Sequence, residues 1–382
     1  MTFDGPKIEL NHPWFAQLLA DHKPPCVSLY LPMQRANPSA ATNPRLFREL
    51  IEQMQRIMSK RHEKALVEEM TGKLQSIASD ESFWTGDRDA VAIFASPDLL
   101  QVVDLRQPVD EQVGVSDSFH IKPLIRIMQS ADRFQILCLE LKSVRMLEGN
   151  SSRLERLEDR NLPHSPQDVA GMSLSHMTDS ANDLAQSGRQ SAQGDAPVEP
   201  VPVEIFCRAI DRAVWENYSR PSGLPLILCA DEKTQAAFRG VSKNQYLLDQ
   251  GIFLDPKALP LDRLRAEAWK IMQPIYQQQL ESIKNDFRTA KAHRRGSDEL
   301  AQVAEAASVG RVGTLLVASD KHIIGRLARR SGMLENAPPD DGIADDLLDD
   351  LAEMVLRQDG QVLVLPQVAM PTDTGVAAIY RY

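Results

Sequence analysis

Cysteine is scarce in this chain. The four present in 382 residues, Cys26, Cys138, Cys207 and Cys229, form no Cys-x-x-Cys pair. That argues against a thiolate zinc site and against a disulfide framework, and it reads as reduced core residues in a cytoplasmic protein. Long apolar runs are missing too: none approaches the roughly 18–20 residues a membrane span needs. Met1 to Gly5 lacks the basic and apolar regions of a signal peptide. No phosphate-binding P-loop and no Gly-x-Gly-x-x-Gly occurs, so no nucleotide cofactor is expected. His62, His120, His164, His176, His293 and His322 show no His-Glu-x-x-His or His-x-His spacing. No metal centre is expected from them, and they read as surface or loop residues. There is no internal repeat.

Net positive charge is also lacking. A formal charge of -10 speaks against a general, salt-driven coat for nucleic acid, but it leaves room for local basic faces. The acidic pairs Asp340-Asp341, Asp345-Asp346 and Asp349-Asp350 lack the register of a calcium loop. They read as a solvated acidic helix, and Ile343 to Arg357 reads as an acidic amphipathic helix. Glu140 and Glu148 are too few for a two-metal nuclease centre. Ser187 and Ser191 have no placed histidine partner.

The length favours more than one domain, and the pattern reads as three α/β units. Residues 1–130 form the first. Val27 to Leu31 alternates like a strand, and Leu46, Leu50, Ile51, Met54, Ile57 and Met58 share one helical face. Arg45, Arg48, Arg56 and Lys60 lie opposite, as a solvated face or a phosphate-facing patch. Ala90 to Ala95 and Leu99 to Leu105 flank a Ser-Pro-Asp turn, which predicts a hairpin. Residues 131–258 form the second unit. It opens on the strands Phe134 to Leu141 and Ser143 to Asn150, and carries a helix over Glu204 to Tyr218 and a buried strand over Leu224 to Ala230. Between these lies a polar loop, 164–203, of a length usually reserved for function or disorder. Residues 259–382 form the third unit. A long helix from Leu261 to Ala290 ends in Lys284, Arg288, Lys291, Arg294 and Arg295, a distribution the helix dipole also favours. Helices and strands then alternate to Tyr382, which predicts a small α/β/α sandwich.

This order of segments resembles the bacterial archaeo-eukaryotic release factor family, relatives of the archaeal and eukaryotic class I peptide-chain release factors and of Pelota. The resemblance rests on Pro25 to Pro32 and Ala90 to Ala95 in the first unit. In the second it rests on Leu139 to Gly149 and Leu224 to Ala230, and in the third on Ala307 to Val317 and Gly375 to Tyr382. It implies an N-terminal decoding-type domain, a ribonuclease H-like middle domain, and a C-terminal sandwich like that of kink-turn-binding ribosomal proteins. It also implies a cytoplasmic, ribosome-associated translation factor that occupies the tRNA (A) site in rescue, release or dormancy. Its partners would be ribosomal RNA, peptidyl-tRNA and a translational GTPase, with no membrane and no DNA. In the release factors a Gly-Gly-Gln tip enters the peptidyl-transferase centre. The matching residues here are Gly188, Arg189 and Gln190. Arg189 in place of a glycine restricts positive φ and adds bulk, so weak or absent peptidyl-tRNA hydrolysis is expected. Thr42-Asn43-Pro44-Arg45 departs from the stop-codon-reading Asn-Ile-Lys-Ser pattern, so stop-codon reading is not expected. Candidate RNA contacts are Arg45, Arg48, Arg56, Lys60, Arg189, Lys284, Arg288, Arg294 and Arg295. Three rivals stay open: a non-catalytic ribosome-hibernation or binding protein, a stand-alone hydrolase with the loop as a lid, and a scaffold that binds protein through its acidic third unit.

Overall fold

The computed structural model describes residues 13–33, 42–84, 88–105, 109–128, 132–140, 142–158, 162–169, 202–254, 260–328, 331–335 and 345–382. They pack as two units: Met1–Ser130 with Leu280–Tyr382, and Ala131–Gln279.

The chain opens with α1 (Pro13–Leu18), β1 (Cys26–Pro32), α2 (Thr42–Met58) and α3 (Lys64–Ala78). Then come β2 (Ala90–Ala95), β3 (Leu100–Leu105), β4 (Gln112–Ser116) and the short α4 (Lys122–Met128). The strands form one antiparallel sheet in the order β3-β2-β1-β4. β1 and β2 are buried on both faces and are almost wholly apolar, as two-sided burial demands, with Ser28 the buried polar exception in β1. One face, with Leu29, Leu31, Val91 and Ile93, packs on Phe47, Leu50 and Met54 of α2 and on Met70 and Leu74 of α3. The other, with Tyr30, Ala92 and Phe94, joins a core that includes residues of the C-terminal segment.

The second unit begins with the meander β5 (Phe134–Glu140), β6 (Ser143–Gly149) and β7 (Leu154–Arg156). A helix follows over α5 (Val203–Val214) and continues through a π-helical turn at Trp215–Ser219. β8 (Leu226–Cys229) then pairs parallel with β5, giving the order β7-β6-β5-β8. α6 (Glu232–Val241) starts where the Asp231 carboxylate accepts from the Thr234 amide, an N-cap that satisfies one orphan donor. The strands alternate: Leu137, Leu139 and Leu228 face α5 and α6, while Ile136, Cys138 and Cys229 face Leu264, Ala268 and Met272. Those last three residues belong to α7 (Leu261–Ala292).

The C-terminal segment holds β9 (Gly296–Ser297), α8 (Leu300–Ser308), β10 (Val312–Ala318), β11 (Ile324–Ala328), β12 (Met333–Glu335) and β13 (Asp345–Asp346). It closes with α9 (Leu347–Arg357), β14 (Gln361–Leu365) and β15 (Val376–Tyr380). Its main sheet runs β14-β10-β15-β9. Period-2 alternation covers both faces: Leu316, Ala318 and Ala377 pack on Ile283 and Phe287, and Leu315, Val317 and Ala378 pack on α8 and α9. The protein is thus mixed α/β.

One expectation about the acidic segment is overturned. α9 begins only at Leu347, and Asp346, Asp349 and Glu353 are buried rather than solvated. The apolar residues on both sides of them pull the helix inward, and partners from elsewhere in the fold take up the charges.

Candidate functional site

The expected basic faces lie on well-formed helices. Arg45, Arg48, Arg56 and Lys60 are all exposed, on α2 or just beyond its end. Arg45 pairs with Glu49 at 3.1 Å with its side chain 80 % exposed, so the pair is screened and adds little stability. Thr42 to Arg45 form the first turn of α2. At the far end of α7, Lys284 pairs with Glu281 and Arg288 donates to Asn285 Oδ1, both at 2.9 Å. Arg294 ends the helix in the left-handed region at φ 59, where glycine is the usual residue, while the Arg295 amide donates to Ala290 O at 2.8 Å.

Lys291 and Arg294 line a basin of about 710 Å³ together with Arg311, Tyr380, Asp298 and Glu305. The Arg311 guanidinium lies 4.8 Å from the Tyr380 ring centroid, and its Nε donates to Tyr382 O. Lys291 is held by Asp298 at 2.6 Å, so part of the basin's positive charge is already neutralised. Arg311 was not among the expected contacts, because a lone arginine before a strand carries no periodic signal. Gly188, Arg189 and Gln190 lie outside the described residues, as does most of the 164–203 loop.

A second constellation was not foreseen. His120 follows β4, and its Nδ1 lies 3.2 Å from Asp349 Oδ1. The same oxygen accepts from the Ile121 amide at 2.9 Å and from the Lys122 amide. Lys122, only 2 % exposed, extends Nζ to Asp346 and to Lys321 O. Asp346 also caps α9, accepting from the amides of Ile323 at 3.1 Å and Leu348 at 3.2 Å. His322 Nδ1 stands 3.1 Å from its other oxygen. The backbone of His120 is pinned as well: Tyr30 donates to its carbonyl at 2.6 Å, and its amide donates to Ser28 Oγ at 2.9 Å.

These contacts set the charges. Burial opposes ionisation of Asp346, but His322 and Lys122 overcome it and hold the carboxyl at about 2. Burial likewise disfavours a charged His120, yet Asp349 beside it raises the imidazole above its ordinary value. Tyr30 is pushed well up, chiefly by burial and then by Asp349. His120 lies in the connection between β4 and α4, within the reading of the histidines as surface or loop residues, but it is buried, at 7 % exposed. His120 and His322 lie 202 positions apart in sequence, yet their ring centroids approach to 6.4 Å. Among the described residues no group of three His, Cys, Asp or Glu side chains is placed to hold a metal ion.

Residues 133–311, a little under half the chain, match the model of bacterial archaeo-eukaryotic release factor family 3. The family resemblance seen in the sequence is borne out over that stretch. No curated protein matches. Solved structures that align include the archaeal translation termination factor aRF1, at 14 % identity over 97 % of this chain and 96 % of that one, with a TM-score of 0.25. Dom34 of S. cerevisiae, described as a translation termination-like factor involved in RNA quality control, aligns at 12 % identity over 77 % and 79 %, with a TM-score of 0.39. Archaeoglobus fulgidus Pelota aligns at 11 % identity over 76 % and 79 %, with a TM-score of 0.25. Scores this low add no argument beyond the family match. No described helix is long and apolar enough to cross a membrane.

Proposed function

We propose, from the premise that residues 133–311 belong to the bacterial archaeo-eukaryotic release factor family, that this protein is a ribosome-associated translation factor acting at the tRNA (A) site in rescue, release or dormancy. The family match is the observation that carries the reading. The β7-β6-β5-β8 sheet supports it: an antiparallel meander with a fourth strand parallel to β5 is the layout expected of a ribonuclease H-like middle domain. The helix-covered β14-β10-β15-β9 sheet supports a C-terminal sandwich of the kink-turn-binding type. On this reading the chain divides into domains at 1–130, 131–258 and 259–382, and works in the cytoplasm with a translational GTPase among its partners.

The exposed cations Arg45, Arg48, Arg56, Lys60, Arg288, Arg294 and Arg295, the half-buried Lys284, and Arg189 would contact ribosomal RNA phosphates. The net acidity of the chain limits long-range attraction, so affinity depends on fit and falls with salt. Co-sedimentation with ribosomes at about 50 and about 200 mM monovalent salt tests this directly. The expected outcome is binding at the lower salt and marked loss at the higher. Absence from the ribosomal pellet at both would refute the reading.

A second reading, occupancy without hydrolysis, is favoured by Arg189. If Gln190 positions water and stabilises the oxyanion, Gln190→Ala should cost about 100- to 1,000-fold in peptidyl-tRNA hydrolysis. Gly188 would supply the backbone freedom such a tip needs. A negligible wild-type rate that the substitution leaves unchanged, on ribosomes the protein still binds, supports the non-catalytic reading. A robust rate that collapses overturns it.

A further inference from the structure

We propose that the pocket in front of His120 binds a small oxyanion, a phosphate or phosphate-monoester group, through a hydrogen bond donated by His120 Nε2. The pocket is about 150 Å³ and is lined by Ser28, Gly114, Ser118, His120, His322 and the acidic Asp346 among others. A cavity of that size holds a ring of six carbons, so it suits a phosphate group and not a whole nucleotide.

His120 Nε2 is buried and has no hydrogen-bond partner within the protein. Buried polar atoms are normally satisfied, and an orphan on a residue that lines a polar cavity marks where a partner belongs. The partner is an acceptor because of what surrounds the ring. Asp349 occupies Nδ1, so Nε2 is a second N–H donor whenever the ring is charged. The raised His120 pKa agrees with that charge state.

Two carboxylates stand close by, but their charges are already engaged. Asp346 takes Lys122, His322 and two backbone amides, and Asp349 takes two amides and His120. Asp349 keeps one oxygen without a partner, but it does not line the pocket. The titratable and charged groups facing His120 are therefore Tyr30 on β1, Lys122 on α4, His322 before β11, and Asp346 and Asp349 at the start of α9. With His120 charged, the two carboxylates balance Lys122 and His120, and any charge on His322 adds a positive excess. A bound anion would touch residues before and after the middle unit in sequence.

Isothermal titration of the full chain with inorganic phosphate and with sulfate at pH about 6 and about 8 tests the proposal. Sulfate keeps its charge over that range, so any change in its binding reflects groups of the protein, and the His120→Asn variant assigns it. Expected are saturable binding at the lower pH and sulfate binding that weakens at the higher, by up to about tenfold for each pH unit above the raised imidazole value, because the imidazolium deprotonates. His120→Asn, whose amide can still donate to Asp349, should abolish binding while the fold persists by circular dichroism. Gly114→Val should plug the pocket; a Cβ there meets only ordinary contacts, the nearest at 3.7 Å. Short RNAs with and without a 5′-phosphate, titrated alongside, separate a free phosphate from a nucleic-acid end as the source. No saturable binding of either anion at pH about 6, or binding unchanged in folded His120→Asn, would overturn the proposal.

Discussion

Removing the Asp349 carboxylate should be among the costliest single changes in the unit that contains it. The residue is 1 % exposed, and one of its oxygens gathers the amides of Ile121 and Lys122 and the His120 ring. Asp349→Ala leaves three buried donors without an acceptor, each costing about 1–3 kcal/mol if nothing replaces it. Water reaching His120 from the adjoining pocket offsets part of that. Breaking a buried charged pair typically costs about 3–5 kcal/mol, and that is the expected loss. Asp349→Asn keeps the shape and one acceptor oxygen and should cost about half as much. Urea unfolding of the full chain measures both, and amide hydrogen exchange at Ile121 and Lys122 reports the local opening. A loss under about 1 kcal/mol for Asp349→Ala, or equal losses for the two variants, would refute the reasoning.

The same cluster gives stability a pH profile with two sides. Asp346 is held at about 2 against an ordinary 3.8, so its contribution, roughly 2 kcal/mol, is present above about pH 4 and lost as pH falls towards 2. His120 has the opposite sign. Its folded pKa is raised, so its contribution is complete below the ordinary imidazole range and is lost as pH rises through the raised value. Unfolding measured across both ranges should show both losses, and a flat profile in either contradicts the assignment for that group. Asp359 ends α9 in the left-handed region at φ 57, so Asp359→Gly should stabilise by about 1 kcal/mol in the same unfolding assay, and destabilisation would contradict it. Reversing Arg45 and Arg48 to Glu should leave stability within about 0.5 kcal/mol, since both are exposed, yet weaken ribosome binding and flatten its salt slope. Unchanged co-sedimentation would make that face a solvated one only.

Much of the fold was legible because its strands are apolar and short. Phe134–Glu140, Leu226–Cys229, Val312–Ala318 and the Ala90–Ala95 hairpin arm read directly from their composition. β4 was missed: it is a five-residue edge strand interrupted by Gly114, with little to separate it from a loop. α3 was passed over as well; its apolar residues are interleaved with lysines and glutamates and give a shallower stripe than α2. The His120 cluster was hidden for a different reason. Asp349 draws its partners from Ile121 and Lys122, 228 and 227 positions away, and no local spacing encodes that. The acidic run therefore looked solvated, although the apolar residues interleaved in it, Leu347, Leu348 and Leu351, were the available hint that this face turns inward.

Ribosomes prepared with an empty A site and with a tRNA held there give the most direct test of the account. The protein should bind the first, and a saturating A-site tRNA should displace it competitively, with protection of ribosomal RNA in chemical footprints confined to that site. Equal binding to both ribosome populations, or footprints elsewhere, would contradict the proposal that this chain acts at the tRNA site.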